Sequence, residues 1–306
     1  MSDFWTLDSQ MPPGQLVDVG GYRLHQYSLG QDSPTVLLFA GEFGWSLDWR
    51  YIQPMIAEYS RVCSFDRAGM GWSDPAPSHR RLLNIINEVQ ILLERSDFLG
   101  PYLLVGYGFG SHLIRIFANL FPEEVLGMVL INPRDEQFPV SLSPGWQSAD
   151  RKMARKIRTQ HILAQLGLLS LAAKILGNRF EPRDGQDLPA YIRAMYMEPS
   201  YFAGIMADRA CQAENDRLVS QTRIPKTIPL VVISSITHGW LPEYFAEDRE
   251  QADDFWQASQ ERFLQMSTKS TLITFEGDEE AVLMEHPAIV NEAIRGMMAG
   301  MQQLGV

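Results

Sequence analysis

The stretch Val62-Cys63-Ser64-Phe65-Asp66-Arg67-Ala68-Gly69-Met70-Gly71-Trp72-Ser73-Asp74-Pro75 decides the fold. A short apolar run stops at a turn rich in glycine, serine and aspartate, the composition of a strand that ends sharply. Upstream, residues 35–39 form another short apolar run that leads into Ala40-Gly41-Glu42-Phe43-Gly44-Trp45-Ser46-Leu47-Asp48-Trp49. Downstream, residues 102–107 read as a strand entering Val105-Gly106-Tyr107-Gly108-Phe109-Gly110-Ser111, with a helix over 109–120. Between these strands, 49–59 is expected to be helical, limited by Pro54. Leu82, Ile85, Ile86, Val89, Leu92 and Leu93 recur at helical spacing.

Working outward, residues 16–19 and 22–28 flank Gly20-Gly21 as a hairpin, and 125–131 read as a strand. Strands alternating with helices imply an α/β protein with a parallel sheet covered on both faces. The alternation stops after residue 133. Helical stretches at 153–176, 190–197 and 201–219 follow without a convincing strand, and alternation resumes with strands at 228–235 and 271–275 and helices at 249–266 and 287–301. The expected organisation is therefore a core of residues 1–133 and 228–306 with a helical cap over 134–227, placed as a lid over a ligand site or as an interaction surface.

The turn at Asp66–Asp74 resembles the DRxGxGxSD turn of the α/β-hydrolase family, and Val105–Ser111 stands where that family places its nucleophile elbow. The resemblance covers nearly the whole chain. It implies a mostly parallel central sheet flanked by helices, with a helical lid inserted after the sixth strand. The elbow departs from the G-x-S-x-G pattern, because its central residue is Gly108. Glycine has no attacking atom, so no covalent intermediate forms there, while it accepts the strained elbow backbone without a Cβ penalty. The dinucleotide reading is weak, since Gly106, Gly108 and Gly110 are one residue short of G-x-G-x-x-G.

The resemblance places a histidine in the loop before the last helix. That position is Asp278 if Gly277 is the family's glycine, or Glu280 counting back from Pro287; either is a carboxylate. His286 is the only histidine nearby; its register is wrong for the family's histidine and suits a surface or helix-start residue, with a displaced base as the alternative. The acid position after 129–131 is Asn132, and the alternative site after 230–235 offers His238 rather than a carboxylate. Gly108, Asn132 and Asp278 thus form a degenerate triad. The backbone N–H groups of Phe109 and Glu42 fall where the family builds its oxyanion hole, a device that depends on backbone placement. Candidate acid/base groups are Glu42, His238, Asp278 and Glu280, with Tyr107 lining the pocket. Each has a plainer reading: a solvated loop acid for Glu42, an exposed acidic loop for 276–280, a capping histidine for His238, a packed ring for Tyr107. His112 is expected to pack or face solvent, and His25, His79 and His161 have no chemical neighbours in sequence.

The net charge of −11, from 26 Lys plus Arg against 37 Asp plus Glu, carries no basic footprint for nucleic acid or for anionic lipid, and neither nucleic acid nor a membrane is expected as a partner. With 45% hydrophobic and 21% charged residues the composition is globular. Two distant cysteines, Cys63 and Cys211, suggest neither disulfides nor a metal cluster, and no metal or other cofactor is called for. No apolar run approaches a membrane span, and the first ten residues are polar and acidic, so a cytoplasmic protein is expected. The stripe Ile162, Leu166, Leu169, Ala173 and Leu176 follows a basic start; it is expected to pack over the sheet rather than lie on a membrane. Met195, Tyr196, Met197, Tyr201, Phe202 and Met206 suit an adaptable apolar pocket. The function these features imply is non-hydrolytic acid/base catalysis, of lyase, isomerase or cyclase type, on a small apolar carbonyl compound. The alternatives are an inactive ligand-binding or scaffold protein and a hydrolase using carboxylate-activated water.

Overall fold

Short, wholly apolar runs become the middle of a sheet. The computed structural model describes residues 13–75, 79–137, 144–176, 190–236, 249–277 and 281–303. In chain order come β1 (Gln15–Asp18), β2 (Arg23–Leu29), β3 (Thr35–Phe39), α1 (Gln53–Ala57), β4 (Val62–Phe65), α2 (Leu82–Arg95), β5 (Tyr102–Tyr107), α3 (Gly110–Leu120) and β6 (Val125–Ile131). Five helices follow: α4 (Pro144–Gln165), α5 (Leu169–Leu176), α6 (Ala190–Met195), α7 (Pro199–Ala210) and α8 (Gln212–Ser220). The chain then returns through β7 (Leu230–Ser235), α9 (Arg249–Leu264), β8 (Ser270–Phe275), α10 (Ala281–Met284) and α11 (Pro287–Gln303).

The eight strands lie in the order β1-β2-β4-β3-β5-β6-β7-β8. β2 runs antiparallel to both β1 and β4, and every other pairing is parallel. The hairpin enters at one edge, and the crossover helices explain why β3 and β4 are buried along their whole length. Alternation along each strand sorts side chains between the two faces. Leu37, Leu104 and Leu130 pack with α2, α3 and Phe263 of α9, whereas Val36, Leu38, Leu103 and Val105 pack with α1, α10 and α11. The α/β expectation and the insertion after the sixth strand are both met by this architecture.

Three helix expectations need correction. The stretch 153–176 is two helices, broken at Gly167, whose φ is +68°. The Leu168 N–H donates to Leu163 O and the Gly167 N–H to Ala164 O, so the pair of bonds closes α4 in a Schellman arrangement that a left-handed glycine permits. The stretch 201–219 breaks at Cys211 between α7 and α8. The expected helix over 49–59 shrinks to α1 behind a short 3-10 turn at Ser46–Trp49, because Pro54 suits a helix start and not a helix interior.

Candidate functional site

The elbow between β5 and α3 is built by three glycines with two different reasons. A Cβ on Gly106 would sit 2.6 Å from Gly110 O, and one on Gly110 would sit 2.1 Å from Phe39 O. The flanking glycines are therefore fixed by close packing of strand, turn and helix. Gly108 differs: its φ is +50°, its N–H donates to Ile131 O at 2.9 Å, and among the described residues a Cβ there would meet only Gly41 Cα, at 4.0 Å. The turn keeps the left-handed centre of an elbow and has no side chain to react. Because α3 begins at Gly110, the Phe109 N–H precedes the helix and has no intrahelical acceptor.

The loop after β3 lies opposite. Arg67, from the turn after β4, donates to Ala40 O at 3.1 Å and Glu42 O at 2.9 Å, and its guanidinium lies over the Phe109 ring. The Tyr107 ring packs against Gly41, within 2.8 Å of where a Cβ would be. Tyr107 is thus half-buried packing at the rim of the elbow. The Glu42 carboxylate pairs with Arg209 of α7 at 3.3 Å, and Arg209 also binds Asp150 of α4. Glu42 is therefore a bridge between loop and insertion, with its side chain 27% exposed.

α7 closes on this loop. Gly69 and Gly204 touch backbone to backbone, so that a Cβ on Gly204 would fall 2.8 Å from Gly69 O. Asp208 pairs with Arg67 at 3.2 Å and lies 3.7 Å from Arg80 Nε, while Arg80 grips Glu88 with both terminal nitrogens. Burial pushes the Asp208 carboxyl above its ordinary value against the pull of Arg67 and Arg80. Trp45 joins the contact, its ring 4.5 Å from that of Tyr196, and the Tyr201 hydroxyl donates to Phe43 O. Tyr196 and Met197 pack against the cluster shared by the insertion and the core.

Asn132 lies at the end of β6 with φ +42°. Its Oδ1 accepts the Ser235 N–H at 2.7 Å and its own N–H donates to Ile233 O, so it staples the ends of β6 and β7. Ser235 in turn donates to Gly277 O at the end of β8. His238, Asp278 and Glu280 lie outside the described residues. The segments that carry them leave from Ile236 and Gly277, on the sheet edge that also carries the elbow. His286 is exposed beside the start of α11.

Sequence reasoning missed two buried clusters. His25 Nδ1 lies 3.0 Å from Asp66 Oδ2, and Asp66 also accepts the N–H groups of Ser46 and Trp72. Burial opposes the charge on each, but their mutual attraction raises His25 and lowers Asp66. His112 is buried beneath the elbow, its Nε2 2.9 Å from Arg134 O, and burial holds it well below the usual imidazole value. Nearby Asp216 of α8 pairs with Arg134 at 2.9 Å, yet burial lifts it to about 6. The motif residues Asp66 and Arg67 signalled the first region; nothing local marked the second. Among the described residues no group of three His, Cys, Asp or Glu is placed to hold a metal. A hollow of about 410 Å³ lies within the insertion, lined by Leu169, Ser170, Arg193, Met197 and neighbours, none of them from the elbow.

Comparison with known proteins bears on the family. Residues 34–160 match the model of the alpha/beta hydrolase fold. Human epoxide hydrolase 4 is 32% identical over 119 residues, 37% of this chain and 32% of that protein. The 2-hydroxy-6-oxo-2,4-heptadienoate hydrolase of Pseudomonas putida is 29% identical over 122 residues, 39% of this chain and 44% of that protein. The matched stretch thus spans less than half the length of these curated relatives, and the same holds for two uncharacterized proteins of Schizosaccharomyces pombe and Bacillus subtilis. A crystal structure of the epoxide hydrolase CorEH superposes with a TM-score of 0.66 at 16% identity, covering 94% of this chain and 98% of that one.

Proposed function

We propose, from the premise that this chain has the α/β-hydrolase fold, that it is an acid/base catalyst which binds a small apolar carbonyl compound between elbow and insertion without forming a covalent bond to it. The observation that carries the reading is Gly108: the elbow backbone is kept at φ +50°, among the described residues a Cβ there would meet only Gly41 Cα at 4.0 Å, and the attacking atom is missing. The Phe109 and Glu42 N–H groups are the donors assigned to the carbonyl oxygen, each worth about 3 kcal/mol when charge develops there. Arg67 supports this by clamping both carbonyls that bracket Gly41. His238, Asp278 and Glu280 are the groups assigned to proton transfer, and Glu42 is assigned to the entrance with Arg209. A lyase, isomerase or cyclase reaction needs no more than this polarisation and a positioned base.

The ion pair of Glu42 with Arg209 favours a second reading, a ligand-binding member without turnover. Three of the proteins named above are hydrolases by name, and hydrolysis here would need water activated directly by Asp278 or Glu280. One set of experiments separates the three. Incubation with apolar ketones in D2O, followed by mass spectrometry, reports α-carbon deuteration; the catalyst reading expects it, and expects Gly108→Leu to abolish it by filling the space. Ketones that raise the melting temperature without deuteration replace it with the binding reading. Turnover of p-nitrophenyl esters that is lost in Asp278→Asn or Glu280→Gln replaces it with hydrolysis.

A further inference from the structure

The insertion has an outward face that nothing in the chain covers with charge or apolar surface among the described residues. On α4, Ile157 and Gln160 are buried toward α7 and the core, so residues half a turn away face outward. Arg151, Arg155, Arg158, Ile162 and Leu166 fall at steps of four, three, four and four, one stripe on the opposite side of the helix. All five are exposed. The stripe is divided along its length: three guanidiniums, then two aliphatic side chains, over about 22 Å at the helical rise. The Schellman turn at Gly167 carries the apolar end around the corner into α5. Leu166, Leu171, Ile162 and Leu168 are 64%, 55%, 48% and 45% exposed, whereas Leu169 is turned inward. The expectation that this stripe packs over the sheet is corrected for Ile162 and Leu166; Leu169 is buried in the cluster shared by the insertion and the core, and the side chains of Ala173 and Leu176 lie outside the described residues.

The charge distribution selects an occupant. The chain carries a net −11, yet among the described residues Arg151, Arg155 and Arg158 have no carboxylate at ion-pair distance. The carboxylate nearest in sequence, Asp150, is bound to Arg209. A second copy meeting this one leucine to leucine would cover the corner and leave the arginines of both copies without carboxylates. Nucleic acid would satisfy the arginines and leave the leucines in water. A bilayer with anionic headgroups satisfies both, since cations near such a surface are attracted and aliphatic side chains enter the acyl boundary. No helix among the described residues is long and apolar enough to cross a membrane, which fits contact from one side.

We propose that the outward stripe of α4 and the α4–α5 corner dock this protein on the surface of anionic lipid bilayers. This goes beyond the catalytic reading and stands without it. The test is co-sedimentation of the full chain with phosphatidylcholine vesicles, with and without 30% phosphatidylglycerol. Binding is expected only with the anionic lipid, and 0.5 M NaCl is expected to weaken it, because screening shortens the reach of each charge. Arg155→Glu with Arg158→Glu is expected to weaken binding about tenfold or more, from the attraction each cation makes at a charged surface. Leu166→Ser with Leu171→Ser is expected to do the same with little salt dependence of the loss. All four positions are exposed, and unchanged melting of the variants confirms that they fold. Absence of binding by the wild-type chain overturns the proposal, as does equal binding to both vesicle types. A concentration-dependent dimer abolished by the leucine variant, or retention on duplex DNA in place of vesicles, also overturns it.

Discussion

Two parts of the insertion meet the rest of the molecule on different terms. α7 lies backbone to backbone on the Gly69 turn through Gly204, and it sends Asp208 to Arg67 and Arg80 and Arg209 to Glu42. α4 touches the core with Ile157 and Gln160 and turns its cations and much of its aliphatic surface away. Among the described side chains of the two helices, only α7 carries a buried charge, Asp208, and it is matched by Arg67 and Arg80. The difference teaches that the insertion is not one hinged plate. α7 is tied to the loop after β3, since Arg67 holds Asp208 with the same guanidinium that holds that loop. α4 and α5 form its outer edge.

The largest effect that would break this contrast is expected at Asp208. Replacing it by alanine leaves two guanidiniums buried without their shared partner, and such a loss typically costs about 3 kcal/mol or more. Urea unfolding of Asp208→Ala should show that drop; a change under 1 kcal/mol would mean that α7 is not fastened as described. Gly204→Ala comes next. Its Cβ would stand 2.8 Å from a carbonyl oxygen of rigid backbone, so α7 must lift, at a cost of about 1–3 kcal/mol. A silent Gly204→Ala would show that the helix already sits farther from the Gly69 turn.

How much of this was legible beforehand follows from how local each determinant is. β5 and β6 stand at the residues where apolar runs predicted strands, because a parallel strand buried on both faces has no polar interruption. The elbow and the Asp66–Asp74 turn were legible because glycine spacing is a backbone requirement written in one short stretch. The break at Gly167 was hidden by the apolar periodicity on either side of it. Partners across the fold were not legible at all: Arg67 and Asp208 are 141 positions apart, and neither carries a local sign of the other. Periodicity also identified an apolar stripe on α4 without telling what, if anything, covers it. Asn132 was read as an uncharged residue at the family's acid position, and its amide closes the β6–β7 junction, a contact the sequence did not show.

The junction of α8 with the core sharpens the contrast through pH. Burial raises Asp216 to about 6 despite its bond to Arg134. A carboxyl raised in the folded state favours folding below its unfolded pKa, near 4, and that contribution is lost as pH rises through about 6. Asp216→Asn removes the titration. Its stability relative to wild type is therefore expected to rise between pH 4 and 6.5 and then level off, as followed by urea midpoints across that range. His112, whose Nδ1 lies 3.9 Å from Asp216, is lowered by burial and titrates in the opposite sense, so His112→Asn in the same background separates its share from that of Asp216. A flat difference would mean that Asp216 is as well solvated as the outward residues of α4.

The smallest effect is expected on α4 itself. Leu166 is 64% exposed, so most of its surface is in water both before and after folding, and the transfer term that makes core leucines costly is largely absent. Leu166→Ser should change stability by no more than about 0.5 kcal/mol in urea unfolding, the range of surface positions without special contacts. The comparison with Gly204→Ala is the informative one, because both changes add or remove a few atoms on neighbouring helices of the same insertion. A loss of 2 kcal/mol or more at Leu166 would show that part of the chain covers the corner in solution. α4 would then be fastened like α7, and the face offered to a bilayer would belong to the protein's own packing.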